Sequence, residues 1–86
     1  MQTQSLDHLP FGERVRESVK REFERNNLLR HENILVDAEG DKIILQGDVD
    51  SFDKKTLAED IAHDIYGVLK VENEIHVYRE NFYENW

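Results

Sequence analysis

Apolar positions along the chain fall into blocks whose spacing switches between the helix period and the strand period. Phe11, Val15, Val19 and Phe23 recur every four positions, so they line essentially one face of a helix over about residues 11–26. Asn26 and Asn27 favour its termination. Ile34, Val36 and Ala38 then alternate with Leu35 and Asp37, the period of a short strand. Glu39-Gly40-Asp41 follows, and because Gly40 can take a positive φ, a tight hairpin into Lys42 is the economical connection. In the returning strand Ile43, Leu45, Gly47 and Val49 alternate with Lys42, Gln46 and Asp48, while Ile44 is an apolar exception on the outer side. The hairpin is predicted near 33–49. Gly47 inside a strand marks a close approach of backbone or of a packed helix.

The next block returns to the helix period. Leu57, Ala58, Ile61, Ala62 and Ile65 stand three and four apart and predict a second helix near 52–66. Asp50 and Ser51 both suit its N-cap, and Asp53 suits the positive helix end. Gly67 is the residue type that closes a helix in the left-handed conformation, with Val68 folding back on the last turn. Val71, Asn73, Ile75 and Val77 then alternate with Lys70, Glu72, Glu74 and His76 in a last strand near 70–78.

This order implies an α+β fold: an αββαβ two-layer sandwich with two helices packed on one face of a three-stranded mixed sheet. A strand that returns from a helix lies parallel to one hairpin strand through a right-handed crossover. The helical stripes are expected to meet Ile34, Val36, Ile43, Leu45, Val49, Val71, Ile75 and Val77.

Composition narrows the function more than the fold. The 86 residues suffice for one domain with a modest core, since chains this short bury only about 60% of their unfolded surface. Residues 1–10 read as a polar lead-in, 11–78 as the domain and 79–86 as an aromatic tail. There is no cysteine, which excludes disulfides, thiolate metal sites and cysteine nucleophiles. With 19 acidic against 11 basic residues the formal charge is −8. Such a balance opposes sequence-independent attraction to nucleic acid, and to anionic lipid unless a local basic patch prevails. The first residues carry neither a basic start nor an apolar run of signal-peptide length, so the chain as written is read as cytoplasmic. As one unit of a longer protein it is equally compatible with the periplasm or envelope.

Four groups of residues are candidates for chemistry or recognition. Arg14, Arg16, Lys20, Arg21 and Arg25 make a basic ridge on the first helix, diluted by interspersed glutamates, whose plainer reading is a solvated helix surface. Phe82, Tyr83 and Trp86, with Tyr78, concentrate aromatics in a tail suited to folding back or to docking on a partner, a second subunit or a membrane interface. Asp60, His63 and Asp64 gather two carboxylates and an imidazole within five positions and form the best metal-like cluster, although they match no closed ligand motif. Asp37, Glu39 and Asp41 alternate around Gly40, but the loop is far shorter than a calcium-binding loop and reads as an acidic hairpin turn. No hydroxyl lies in an activating motif and no glycine-rich phosphate loop is present, so neither an enzyme nor a cofactor is expected.

Leu45-x-Gly47-x-Val49, the Ala58 to Ala62 helix, Gly67-Val68 and Val71-x-Asn73-x-Ile75-x-Val77 stand in the order and spacing of a BON domain. Over about residues 11–78 the chain resembles this bacterial osmotically inducible and nodulation domain family. The resemblance implies a small αββαβ binding module without a catalytic residue, often carried by bacterial envelope proteins, with phospholipid contact in some members. The expected function is a non-catalytic binding or assembly module that contacts a protein partner or itself. Its rivals are a phospholipid-surface module, served by Arg14, Arg16, Lys20 and Arg21, and a small cation-binding protein served by Asp60, His63 and Asp64. Nucleic acid is not an expected partner.

Overall fold

The computed structural model describes residues 9–78. Its elements are α1 (Phe11–Arg25), β1 (Asn33–Glu39), β2 (Lys42–Val49), α2 (Phe52–His63) and β3 (Lys70–Val77). The three strands form one sheet in the order β1-β2-β3, with β1 antiparallel and β3 parallel to the central β2. Both helices pack against the same face, α1 mainly on β1 and α2 on β3 and β2. The fold is therefore the αββαβ α+β sandwich that the alternating periods imply.

Local chemistry accounts for the ends of each element. Helix α1 starts after Pro10, whose carbonyl accepts from the Arg14 amide. It stops at Asn26, and the Asn26 side chain then accepts from the Leu28 amide at 2.8 Å while its carbonyl accepts from Leu29 and Arg30. The resulting compact turn carries Leu29 into the core. Gly40 at φ 63 followed by Asp41 at negative φ closes the hairpin with the φ signs of a type II′ turn. Of the two N-cap candidates the structure uses Ser51, whose Oγ accepts from the Lys54 amide at 3.2 Å. Asp50 instead pairs with the Lys54 ammonium at 3.1 Å.

Helix α2 is shorter than its apolar spacing predicts, ending at His63 rather than near residue 66. Residues 64–68 continue in tighter turns, in which Ile65 donates to Ala62 and Val68 to Ile65. Gly67 at φ 100 ends this run and Val68 is buried behind it. A Cβ at Gly67 would lie 2.6 Å from Phe11 Cζ and 3.2 Å from Val15 Cγ2, so the missing side chain also lets α1 approach. Phe11 departs from its expected role: it covers Gly67 from outside the core and stays 49% exposed.

The core lies between helices and sheet and joins Val15, Val19 and Phe23 of α1, Ala58 and Ala62 of α2, and Val36, Ile43, Leu45, Val49, Ile75 and Val77 of the strands. Ile34 and Val71, also expected there, pack at its margin. Small Ala58 and Ala62 let α2 sit close to the sheet, because a longer side chain at either would push it away. Asn73 is the polar member of the inner face. Its Nδ2 donates to the Lys55 carbonyl at 2.9 Å and to Glu59 Oε1 at 3.2 Å, while its Oδ1 accepts from the Ile75 amide at 3.2 Å. One side chain thus ties α2 to β3. Asn73→Ala is expected to lower stability by about 1–2 kcal/mol in urea denaturation, because it leaves the Ile75 amide without that acceptor; an unchanged midpoint would show that water replaces the side chain without loss.

Candidate functional site

The five cations expected as a basic ridge all lie on α1, and three of them are paired within the helix. Arg16 pairs with Glu13 at 2.6 Å and Glu17 at 3.4 Å, Lys20 with Glu17 at 3.6 Å, and Arg25 with Glu22 at 3.5 Å. Glu17 thus pairs with the adjacent Arg16 and with Lys20. Arg14 lies over the Phe11 ring at 5.8 Å, a cation–π distance. Arg14 and Arg21 enter no ion pair among the described residues. From Phe11 to Arg25 the five cations face four glutamates, a net charge of +1. Across the rest of the described chain, twelve acids face five bases, a net charge of −7.

An apolar patch sits at one end of the molecule. The N-terminus of α1 meets the hairpin turn, since a Cβ on Gly12 would stand 3.5 Å from the Gly40 carbonyl oxygen, and the Leu69 amide donates to the Asp41 carbonyl at 3.0 Å. Around this junction Phe11, Tyr66 (93% exposed) and Leu69 (74% exposed) face solvent, and a shallow depression between α1 and the end of α2 is lined by Phe11, Val15, Ile65 and Tyr66. Sequence reading assigns none of these residues to recognition. The signal was available in Tyr66-Gly67-Val68-Leu69, where large apolar groups flank a helix-ending glycine and cannot all turn inward.

The outer face of the sheet carries Asn33, Leu35, Asp37 and Glu39 of β1, Lys42, Ile44, Gln46 and Asp48 of β2, and Lys70, Glu72, Glu74 and His76 of β3, paired by the observed registers. Lys42 bridges Glu72 at 3.1 Å and Glu39 at 3.6 Å, and Gln46 donates to Glu74 at 3.0 Å. Hydrogen bonding to Lys42 is the first cause holding the Glu72 carboxyl below its usual 4.5, and bonding to Glu72 first raises Lys42 above 10.5. Because folding depresses Glu72, its contribution to stability is complete above pH 4.5 and is lost as pH falls through its folded value. Lys42 acts oppositely, with its contribution complete below 10.5 and lost as pH rises through the folded value. Lys42→Met should move the Glu72 titration, followed by side-chain carboxyl NMR, back up toward 4.5; an unmoved titration would assign the depression to other neighbours.

A third cluster joins the start of α2 to the loop before β1. Lys54 pairs with Glu32 at 2.6 Å as well as with Asp50, and the Glu32 bond is the first cause of its raised pKa. Beside this loop a cleft of ≈ 160 Å³ opens between α1 and β1, lined by Phe23, Leu29, Ile34 and Val36 with Lys20 and Arg30 at its rim. That is below the about 300–1,000 Å³ of small-molecule sites, so it has room for a side chain rather than for a whole ligand.

Asp60, His63 and Asp64 lie exposed at the end of α2. Among the described residues the His63 ring meets the carboxylate of Glu59, one turn earlier at 4.0 Å, and no three acidic or imidazole groups converge as a metal site would require. Phe82, Tyr83 and Trp86 lie outside the described residues. The family model described as BON domain matches residues 12–79. A search of curated proteins finds no match for the chain.

Proposed function

The chain belongs to the BON domain family, and from that premise we propose that it is a non-catalytic binding and assembly module that contacts a protein partner or a second copy of itself in preference to phospholipid. The observation that carries this reading is the charge balance of α1. Its glutamates occupy Arg16, Lys20 and Arg25, leaving a net +1 on a domain otherwise strongly acidic. Attraction to an anionic surface needs a patch of uncompensated cations, whereas a mixed-charge helix beside exposed apolar groups is ordinary protein-contact chemistry.

Phospholipid contact is the second reading, favoured by Arg14, which lies beside Phe11 and Tyr66 at the N-terminal end of α1 and enters no ion pair among the described residues. Amide shift mapping of the full chain against phosphatidylglycerol vesicles separates the two. No shift on α1 is the expected result, and shifts confined to Arg14, Arg16, Lys20, Arg21 and their neighbours would overturn the preference. No helix among the described residues is long and apolar enough to cross a membrane. Family membership favours an envelope-associated module over the cytoplasmic reading.

A further inference from the structure

We infer that β1 is a self-pairing edge, by which two copies of the domain associate through antiparallel β1 to β1 addition about a two-fold axis at Leu35. The inference rests on the protein-contact reading above and commits it to one partner, a second copy of this chain. In the order β1-β2-β3 only β1 and β3 have an open side. With Glu39 and Lys42 closing a two-residue turn, Asn33, Leu35, Asp37 and Glu39 direct their backbone amides and carbonyls to β2. Ile34, Val36 and Ala38 direct theirs outward.

These three outward residues are not equivalent. The Ala38 amide is closed by Asp37 Oδ1 at 2.8 Å, a device that blunts a strand edge locally. Among the described residues no such acceptor meets the amides of Ile34 and Val36. On the opposite edge Asn73 closes the Ile75 amide and holds α2 against β3. On β1 the open stretch is therefore Ile34 to Val36, centred on a leucine that is 61% exposed on the outer face.

A two-fold axis at Leu35 uses this stretch and leaves the blunted one aside. It sets Ile34 against the partner's Val36 and Val36 against the partner's Ile34, each pair exchanging both ladder bonds. Leu35 then faces the partner's Leu35 at a non-hydrogen-bonded position, where opposed side chains come closest. Charge agrees with this register. Asn33 falls against the partner's Asp37, and the Arg30-His31 flank of one copy runs toward the partner's Glu39 and Asp41. Moving the axis to Val36 would call on the closed Ala38 amide and set Leu35 against a carboxylate. Moving it to Asp37 would oppose two aspartates, which is unfavourable.

The test is sedimentation velocity of the full chain from micromolar to millimolar concentration, together with oxidation of a cysteine variant. Reversible dimerisation is expected. Leu35→Asp, which replaces the opposed leucines with like charges, should weaken it by at least about tenfold while the circular-dichroism spectrum stays that of the folded domain. The opposed Cα atoms would stand about 4.5 Å apart, inside the disulfide range of about 4.4–6.8 Å. Leu35→Cys should therefore form a covalent dimer faster than Thr56→Cys, an exposed control on α2. A monomer at every concentration, or equal cross-linking of the two cysteine variants, overturns the inference. A dimer undiminished by Leu35→Asp also overturns it, while leaving the protein-contact reading in place because another surface then carries the association.

Discussion

Gly47→Ala should destabilise the domain by about 3–5 kcal/mol in urea denaturation, enough to leave a domain of this size partly unfolded at room temperature. The cause is a backbone contact and not a lost packing interaction. Gly47 lies opposite Ile34 in β1 and Ile75 in β3, so it has a strand on each side. A Cβ there would fall 1.9 Å from the Asn33 carbonyl oxygen and 3.0 Å from Ile34 Cα. Those atoms belong to the paired strand and cannot retreat as a flexible side chain would, and φ 127 adds strain for any L residue. Gly40→Ala is the matched comparison. Gly40 also has positive φ, at 63, but nothing lies within 4 Å of its added Cβ, so the expected loss is only about 1 kcal/mol. A Gly47 variant as mild as the Gly40 variant would mean that β1 can shift along β2 at little cost, and the tight registration of this ladder would be wrong.

Leu29→Ala should cost about 2–4 kcal/mol, by lost transfer energy plus the cavity left behind. Leu29 is 2% exposed although it belongs to neither helix nor strand. The turn held by Asn26 directs it under α1, where with Phe23 and Val36 it borders the cleft beside β1. Its neighbour Leu28 is 60% exposed, and Leu28→Ala should stay within about 0.5 kcal/mol of the parent. Equal losses in thermal or urea unfolding would contradict this burial. The contrast bears on function because collapse at Leu29 would move the loop that carries Arg30 and Glu32, and with it the entry to β1.

The difference between Leu28 and Leu29 shows where sequence reasoning reaches its limit. Adjacent leucines outside a periodic segment have no spacing to tell them apart, and only the hydrogen bonds to Asn26 decide which turns inward. Phe11 shows the converse, since it continues the four-residue stripe of α1 yet sits half exposed over Gly67 because the core ends beneath Val15. The candidate site was legible to a similar degree. The five cations of α1 are plain in the sequence, but their partners are not, because a glutamate can reach a cation on either side within a turn. Tyr66 and Leu69 become a patch with Phe11 only when the hairpin turn, the start of α1 and the end of α2 are brought together.

The sequence by itself determined the elements, their order and the buried side of each, because side-chain direction repeats every 3.6 residues in a helix and every two in a strand whatever surrounds it. It also marked Gly40 and Gly67 as positions for positive φ and Gly47 as a close approach of backbone or helix, and the order of these features identified the family. Tertiary structure decided which strand is central, setting β2 between β1 and β3 with Val49 beside Val77. It ended α2 at His63, gave Asn73 its hold on Lys55 and Glu59, and left Ile34 and Val36 with amides that face away from the sheet. Each of these depends on what stands opposite a residue across the fold, and that distance is not encoded in any local period.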